Sequence, residues 1–124
     1  MKPVIKIKRA YDAPSENDGT RVLVDRLWPR GIKKEDLKID LWLKEVAPSE
    51  MIRKWFSHDP DRWEEFKSHY FEELREKDEL LMPVVNAKSK TVTLVYGSRN
   101  TTINNAVALK EYIEREKYGS KKAA

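Results

Sequence analysis

The chain has 124 residues, of which 40% are hydrophobic and 37% charged, with a net charge of +4 and no cysteine. That length suits one domain, and the lack of cysteine removes disulfides, thiolate metal sites and cysteine nucleophiles. No run of about 18 apolar residues exists to cross a membrane, and Met1–Lys6 shows no signal-peptide pattern, so a cytoplasmic protein without membrane partners is expected.

Val4 to Arg9 alternates apolar and basic residues and reads as an edge-like first strand. Asp12 to Gly19 gathers Pro14, Ser15, Asn17, Asp18 and Gly19 and reads as a loop. Arg21 to Trp28 contains the run Val22-Leu23-Val24, apolar on both pleat faces, as in a central strand covered on both sides. Pro29 and Gly31 stop it, and Lys34 to Lys38 gives at most a short helical turn. Ile39 to Val46 alternates and is expected to be a strand.

Ser49 is expected to cap a helix that carries Ile52, Trp55 and Phe56 on its apolar stripe. Asp59 suits the next N-cap and Pro60 the first helical position. Trp63, Phe66, Tyr70 and Leu74 then recur at three and four residues on a long amphipathic helix reaching about Asp78. Leu80 to Ala87 is a shorter apolar patch. Thr91 to Tyr96 is a strand, Gly97 to Thr101 a turn, and Thr102 to Lys117 a helix. Strands alternating with helices predict an α/β fold, a small mostly parallel sheet of three or four strands flanked by helices. The expected organisation is one domain over residues 1–118 and a flexible basic tail over 119–124.

Charge is unevenly spread: residues 1–34 carry net +5, residues 35–87 net −6 and residues 88–124 net +5. The two basic ends are either ordinary charged surface or two halves of a face for an anionic ligand. The 16 Lys and 13 Glu, with no Gln, form a thermophile-like composition.

In open α/β sheets, ligands lie outside the carboxyl ends of strands. Two segments qualify here. At the end of the second strand, Asp25, Arg26, Trp28 and Arg30 follow a buried run directly. Arg26 and Arg30 would form a guanidinium clamp, because the planar fork of arginine binds phosphate or carboxylate in a bidentate way. The competing reading makes Asp25 and Arg26 structural ion-pair partners and Trp28 core filling. After the last strand, Tyr96, Ser98, Arg99 and Asn104 lie at a helix start, where free N–H groups and the helix dipole favour an anion. No G-x-x-x-x-G-K-[ST] or G-x-G-x-x-G pattern is present.

His58 stands beside Asp59, with Arg62 and Trp63 following. A histidine oriented by a carboxylate serves as general acid or base near neutral pH. The alternative is that both residues only cap helices. His69 falls on the solvent side of its helix, and the two histidines share no helical face, so no metal and no cofactor is expected.

Several stretches together are specific. Asp25-Arg26-Leu27-Trp28-Pro29-Arg30-Gly31, His58-Asp59-Pro60 with Arg62-Trp63, and Thr93-Leu94-Val95-Tyr96 with Asn104 resemble the YeaO-like family, domain of unknown function 488. The resemblance spans roughly Val4 to Ile113 and implies a small cytoplasmic α/β protein, with no activity attached. The sequence departs from the family pattern at Gly97-Ser98-Arg99-Asn100 and at Asn105, where many relatives carry histidine.

The first functional reading is binding of a small anionic, phosphorylated ligand in an Arg/His/Trp pocket. Asp25, Arg26, Trp28, Arg30, Arg62, Tyr96, Ser98, Arg99 and Asn104 would bind it, and His58 with Asp59 would transfer a proton if the ligand is turned over. The second is a nucleic-acid-binding or accessory module without catalysis, using the basic ends. The third is a scaffold acting through a partner surface.

Overall fold

Apolar residues on both faces of two strands force a layered architecture, and the chain builds one. The structure is a computed structural model that describes residues 2–119. Met1 and residues 120–124, most of the expected basic tail, lie outside the described residues.

Among the described residues the sheet has four strands in the order β1-β4-β2-β3, all parallel: β1 (Val4–Arg9), β2 (Thr20–Leu23), β3 (Leu41–Trp42) and β4 (Thr91–Tyr96). β1 is an edge strand, registered against β4 from Val4↔Thr91 to Arg9↔Tyr96. β4 and β2 are the two inner strands, and the β4 residues from Val92 to Tyr96 are all buried. The helices are α1 (Lys34–Leu37), α2 (Glu50–Phe56), α3 (Trp63–Glu76), α4 (Met82–Val85) and α5 (Asn105–Tyr112), the last running into a π-turn over Ile113–Lys117.

The period-2 alternation sorts the strand residues onto two faces. Ile5, Val22, Val24, Val92, Leu94 and Tyr96 join the main core with Phe66, Tyr70 and Leu74 of α3 and Ala108, Leu109 and Tyr112 from α5. Leu23 and Val95 point the other way, into a smaller cluster with Ala10, Leu37, Trp28 and Trp42.

That second face is closed partly by charge. Arg21, 4% exposed, donates through Nη1 to Asp18 Oδ2 at 2.6 Å and through Nη2 to the Leu37 carbonyl at 2.7 Å. Lys8 Nζ reaches Asp18 Oδ1 at 3.0 Å, and Thr93 donates to the Asp18 carbonyl at 2.7 Å. The loop 10–19 and α1 are thereby tied to three strands. Gly19 is required at this point: its φ is +64°, and a Cβ there would lie 2.1 Å from the Thr91 carbonyl oxygen.

Helix ends follow their caps. Ser49 Oγ accepts from Ile52 N, and Asp59 Oδ1 accepts from Asp61 N at the start of the 3-10 turn Pro60–Arg62 that leads into α3. Three expectations need correction. The strand predicted over Ile39–Val46 is only Leu41–Trp42, because Lys44–Val46 turns into a 3-10 helix. The strand predicted through Trp28 ends at Leu23; Val24 N still donates to Val95 O, and the chain bends from Asp25 onward. The last helix begins at Asn105 and not Thr102, because Asn100 Oδ1 accepts from both Thr102 N and Ile103 N in a turn, leaving Asn104 to cap by accepting from Val107 N. No helix among the described residues is long and apolar enough to cross a membrane.

Candidate functional site

α5 packs on β1 and β4, while the chain leaving β2 turns toward β3. The connections after β4 and β2 therefore diverge, and diverging connections open a crevice at the carboxyl ends of neighbouring parallel strands. A cavity of about 300 Å³ lies there. Three segments supply most of its lining: Asp25–Leu27 after β2, residues from Ala47 to His58 around α2, and residues from Ser98 to Asn105 after β4, with Phe66 of α3.

Asp25 is the most constrained of these groups. Gly97 N donates to its Oδ2 at 2.8 Å, Asn105 Nδ2 donates to its Oδ1 at 3.0 Å, and Trp42 Nε1 donates to its carbonyl at 2.8 Å. Burial pushes its pKa above the ordinary carboxylate value, against the opposing pull of Asn105, Gly97 and Arg53. A Cβ on Gly97 would sit 3.2 Å from Oδ2, so glycine lets the backbone amide approach the carboxylate.

Two guanidiniums flank the cavity. Arg26 donates to the Ala47 carbonyl at 3.3 Å and lies 3.7 Å from Glu45, whose side chain is 71% exposed; both contacts are long. Arg53, on the last turn of α2, makes no side-chain hydrogen bond or ion pair with the described residues. His58 also lines the space. It follows Ser57, and both hold left-handed backbone, at φ 58° and 46°. Each such residue costs roughly 1–2 kcal/mol, so α2 ends in strain that presents His58 beside Phe56, with ring centroids 6.2 Å apart.

The structure thus brings Asp25, Arg26, His58, Ser98 and Asn104 to one cavity. Six other candidates lie outside its lining. Trp28 packs edge-on against Trp42 and donates to the Ile32 carbonyl at 2.7 Å, filling the smaller core. Arg30 is exposed past the bend, where its carbonyl accepts from Tyr11. Asp59 caps the turn before α3, and its other oxygen is 3.6 Å from Arg62. Arg62 lies over the Trp55 ring and donates to the Trp55 carbonyl. Tyr96 is buried in the main core, where burial pushes its hydroxyl pKa up. Arg99 is exposed on the β4–α5 connection. His58 and Asp59 therefore do not form an oriented acid/base pair.

Sequence reasoning missed Arg53, Phe56 and Phe66 as cavity residues. Both phenylalanines were legible only as core stripes, and Arg53 sits one turn from Phe56 on an otherwise ordinary helix. Asn105 stood out only as a departure from the family pattern. Among the described residues no group of three or more His, Asp or Glu is placed to hold a metal ion.

Residues 4–124 match the family model of the inactive DUF488-N3 subclade. The chain belongs to the DUF488 family. It is 42% identical over 110 residues to the uncharacterized protein YeaO of Escherichia coli (strain K12), covering 88% of this chain and 96% of YeaO. It is 38% identical over 109 residues to the uncharacterized protein Rv3073c of Mycobacterium tuberculosis (strain ATCC 25618 / H37Rv), covering 88% of this chain and 92% of that protein. No solved structure matches the chain with significance. In this DUF488 chain the residue facing the Asp25 carboxylate is an amide, Asn105, which also donates to the Val24 carbonyl at 3.3 Å.

Proposed function

We propose that this protein binds a small anionic ligand at the β2/β4 crevice and does not turn it over. The observation that carries the reading is the placement of Arg26 and Arg53, from different segments, on one cavity in which Arg53 makes no side-chain hydrogen bond or ion pair with the described residues. Asp25 is the one carboxylate in the lining against these two cations, and both its oxygens are already held by Gly97 and Asn105, so the space keeps a positive excess that favours an anion. The α5 N-terminus and the Ser98 hydroxyl add donors of the same sense.

Three observations favour binding over chemistry. The matching subclade is described as inactive. Both Asp25 oxygens are already engaged, by Gly97 and by an asparagine amide that donates but does not exchange a proton. His58 pairs with no carboxylate among the described residues, and Asp59 instead caps the 3-10 turn Pro60–Arg62.

The test is calorimetric titration of wild type and of Arg26→Ala, Arg53→Ala and the double variant with inorganic phosphate. Wild type is expected to bind saturably, and each arginine removed to weaken binding about tenfold, the size of one charge-assisted hydrogen bond. Thermal unfolding without phosphate should be nearly unchanged, because neither guanidinium is buried. Equal binding by all four proteins, or no binding by wild type, overturns the proposal.

A further inference from the structure

The arginines account for only part of the cavity. Besides Asp25, His58, Ser98 and the two asparagines, the lining has an apolar part: Leu27, Phe56, Phe66 and Ile103 face the same space as Arg26 and Arg53. At about 300 Å³ it has room for about ten water-sized groups, far more than one oxyanion fills. Phe56 and Phe66 are stacked with centroids 4.5 Å apart and planes 26° apart, and Phe66 stacks in turn on Trp63 at 5.8 Å. The aromatic wall is therefore fixed before any ligand arrives. Leu27 is 73% exposed, one of few large apolar side chains left in water, and it sits next in sequence to Arg26 at the cavity. A leucine held there loses apolar contact unless a ligand supplies it.

We infer that the ligand is a ring-bearing anion, an aromatic or heteroaromatic phosphoester or acid of about ten heavy atoms, and not a free oxyanion. The inference rests on the anion-binding reading and deepens it. The guanidiniums take the anionic group, while Leu27, Ile103 and the edges of Phe56 and Phe66 take the ring. Pockets of this kind derive affinity from the apolar wall and orientation from the few polar groups.

The experiment titrates the full chain with three probes, namely inorganic phosphate, phenyl phosphate and phenol. Phenyl phosphate is expected to bind at least tenfold more tightly than inorganic phosphate, and phenol not measurably. Leu27→Ser should weaken phenyl phosphate about fivefold and leave inorganic phosphate unchanged, and it should fold normally because Leu27 is exposed. Arg53→Ala should weaken both phosphates alike. If inorganic and phenyl phosphate bind equally, the ring inference fails while the anion reading stands. If phenol binds as well as phenyl phosphate, or if neither phosphate binds, the anion reading itself fails and takes the inference with it. Loss of both phosphates in Leu27→Ser, or of neither, also overturns the assignment of the apolar wall.

Discussion

Asp25 is a half-buried carboxylate in the lining of the cavity. Desolvation raises its pKa above 3.8, and two hydrogen bonds oppose that rise without cancelling it. An acid with a raised folded-state pKa adds stability that is fully present below its ordinary value, near 3.8, and lost as pH climbs through the raised value. Asp25→Asn keeps an acceptor for Gly97 N and removes the titration. Urea unfolding midpoints measured upward from pH 3.8 should therefore fall less steeply with pH in the variant than in wild type. Phosphate affinity at neutral pH should rise in the same variant, because a like charge has left the site. A pH profile parallel to wild type would count against the burial of this carboxylate.

Asp18 behaves with the opposite sign and belongs to the scale of elements. Burial pushes its pKa up, but Lys8, the Ser15 amide and Arg21 together outweigh burial and hold it below 3.8. Its contribution is present above 3.8 and is lost as pH falls through the lowered value, so it does not overlap the Asp25 window. It joins the loop 10–19 to β1, β2 and β4 through Lys8, Arg21 and Thr93. Asp18→Ala leaves the Arg21 guanidinium short of its counter-charge at 4% exposure and should cost about 3–5 kcal/mol, read as a drop in the chemical-denaturation midpoint. A change under about 1 kcal/mol would make this cluster ordinary surface. At this scale the sequence was legible where local physics decides. Val22 and Leu23, the caps Ser49 and Asp59, and the stripe Trp63, Phe66, Tyr70 and Leu74 all lie in the elements they predict. Elements whose ends depend on distant partners were not legible. Leu43 N donates to Leu23 O as the last bond of the β3 ladder before the chain turns, and no local pattern reveals that. The site divided in the same way. Strand ends pointed to Asp25, Arg26 and Ser98, but Arg53 reaches the cavity only because α2 packs over the crevice, and Trp28 and Arg30 leave it only because the chain bends at Asp25.

On the scale of the whole molecule, the sequence's basic ends and acidic middle are drawn together. β1 and β4 pair along their length, so the two basic segments are neighbours in the sheet. The last basic segment and the acidic segment exchange ion pairs in both directions: Lys117 pairs with Asp78, while Lys67 and Arg75 of the acidic segment lie 2.9 Å from Glu111 and 3.7 Å from Glu116. These contacts bind α3 and the turn after it to α5 and its π-turn. The net +4 is thus a remainder after internal matching, and the local excess at the crevice comes from Arg26 and Arg53.

The inner place of β4 also bears on how the protein is made. Synthesis runs from the N-terminus and outpaces nothing that must wait for the far end of the chain. Among the described residues β1 pairs only with β4, and β2 has otherwise just the two-residue β3 as partner. While the ribosome is still translating α3, the apolar faces of β1 and β2 have no sheet to enter, and they stay exposed until Thr91–Tyr96 emerges. A chain released at residue 90 is expected to be digested rapidly by protease and to unfold without a cooperative transition, whereas one released at residue 119 should match the full chain. Protection of the shorter chain would mean that the first half nucleates alone. The strand that assembles the crevice is also the last one delivered, so the cavity and the folded state become available to the cell in a single late event.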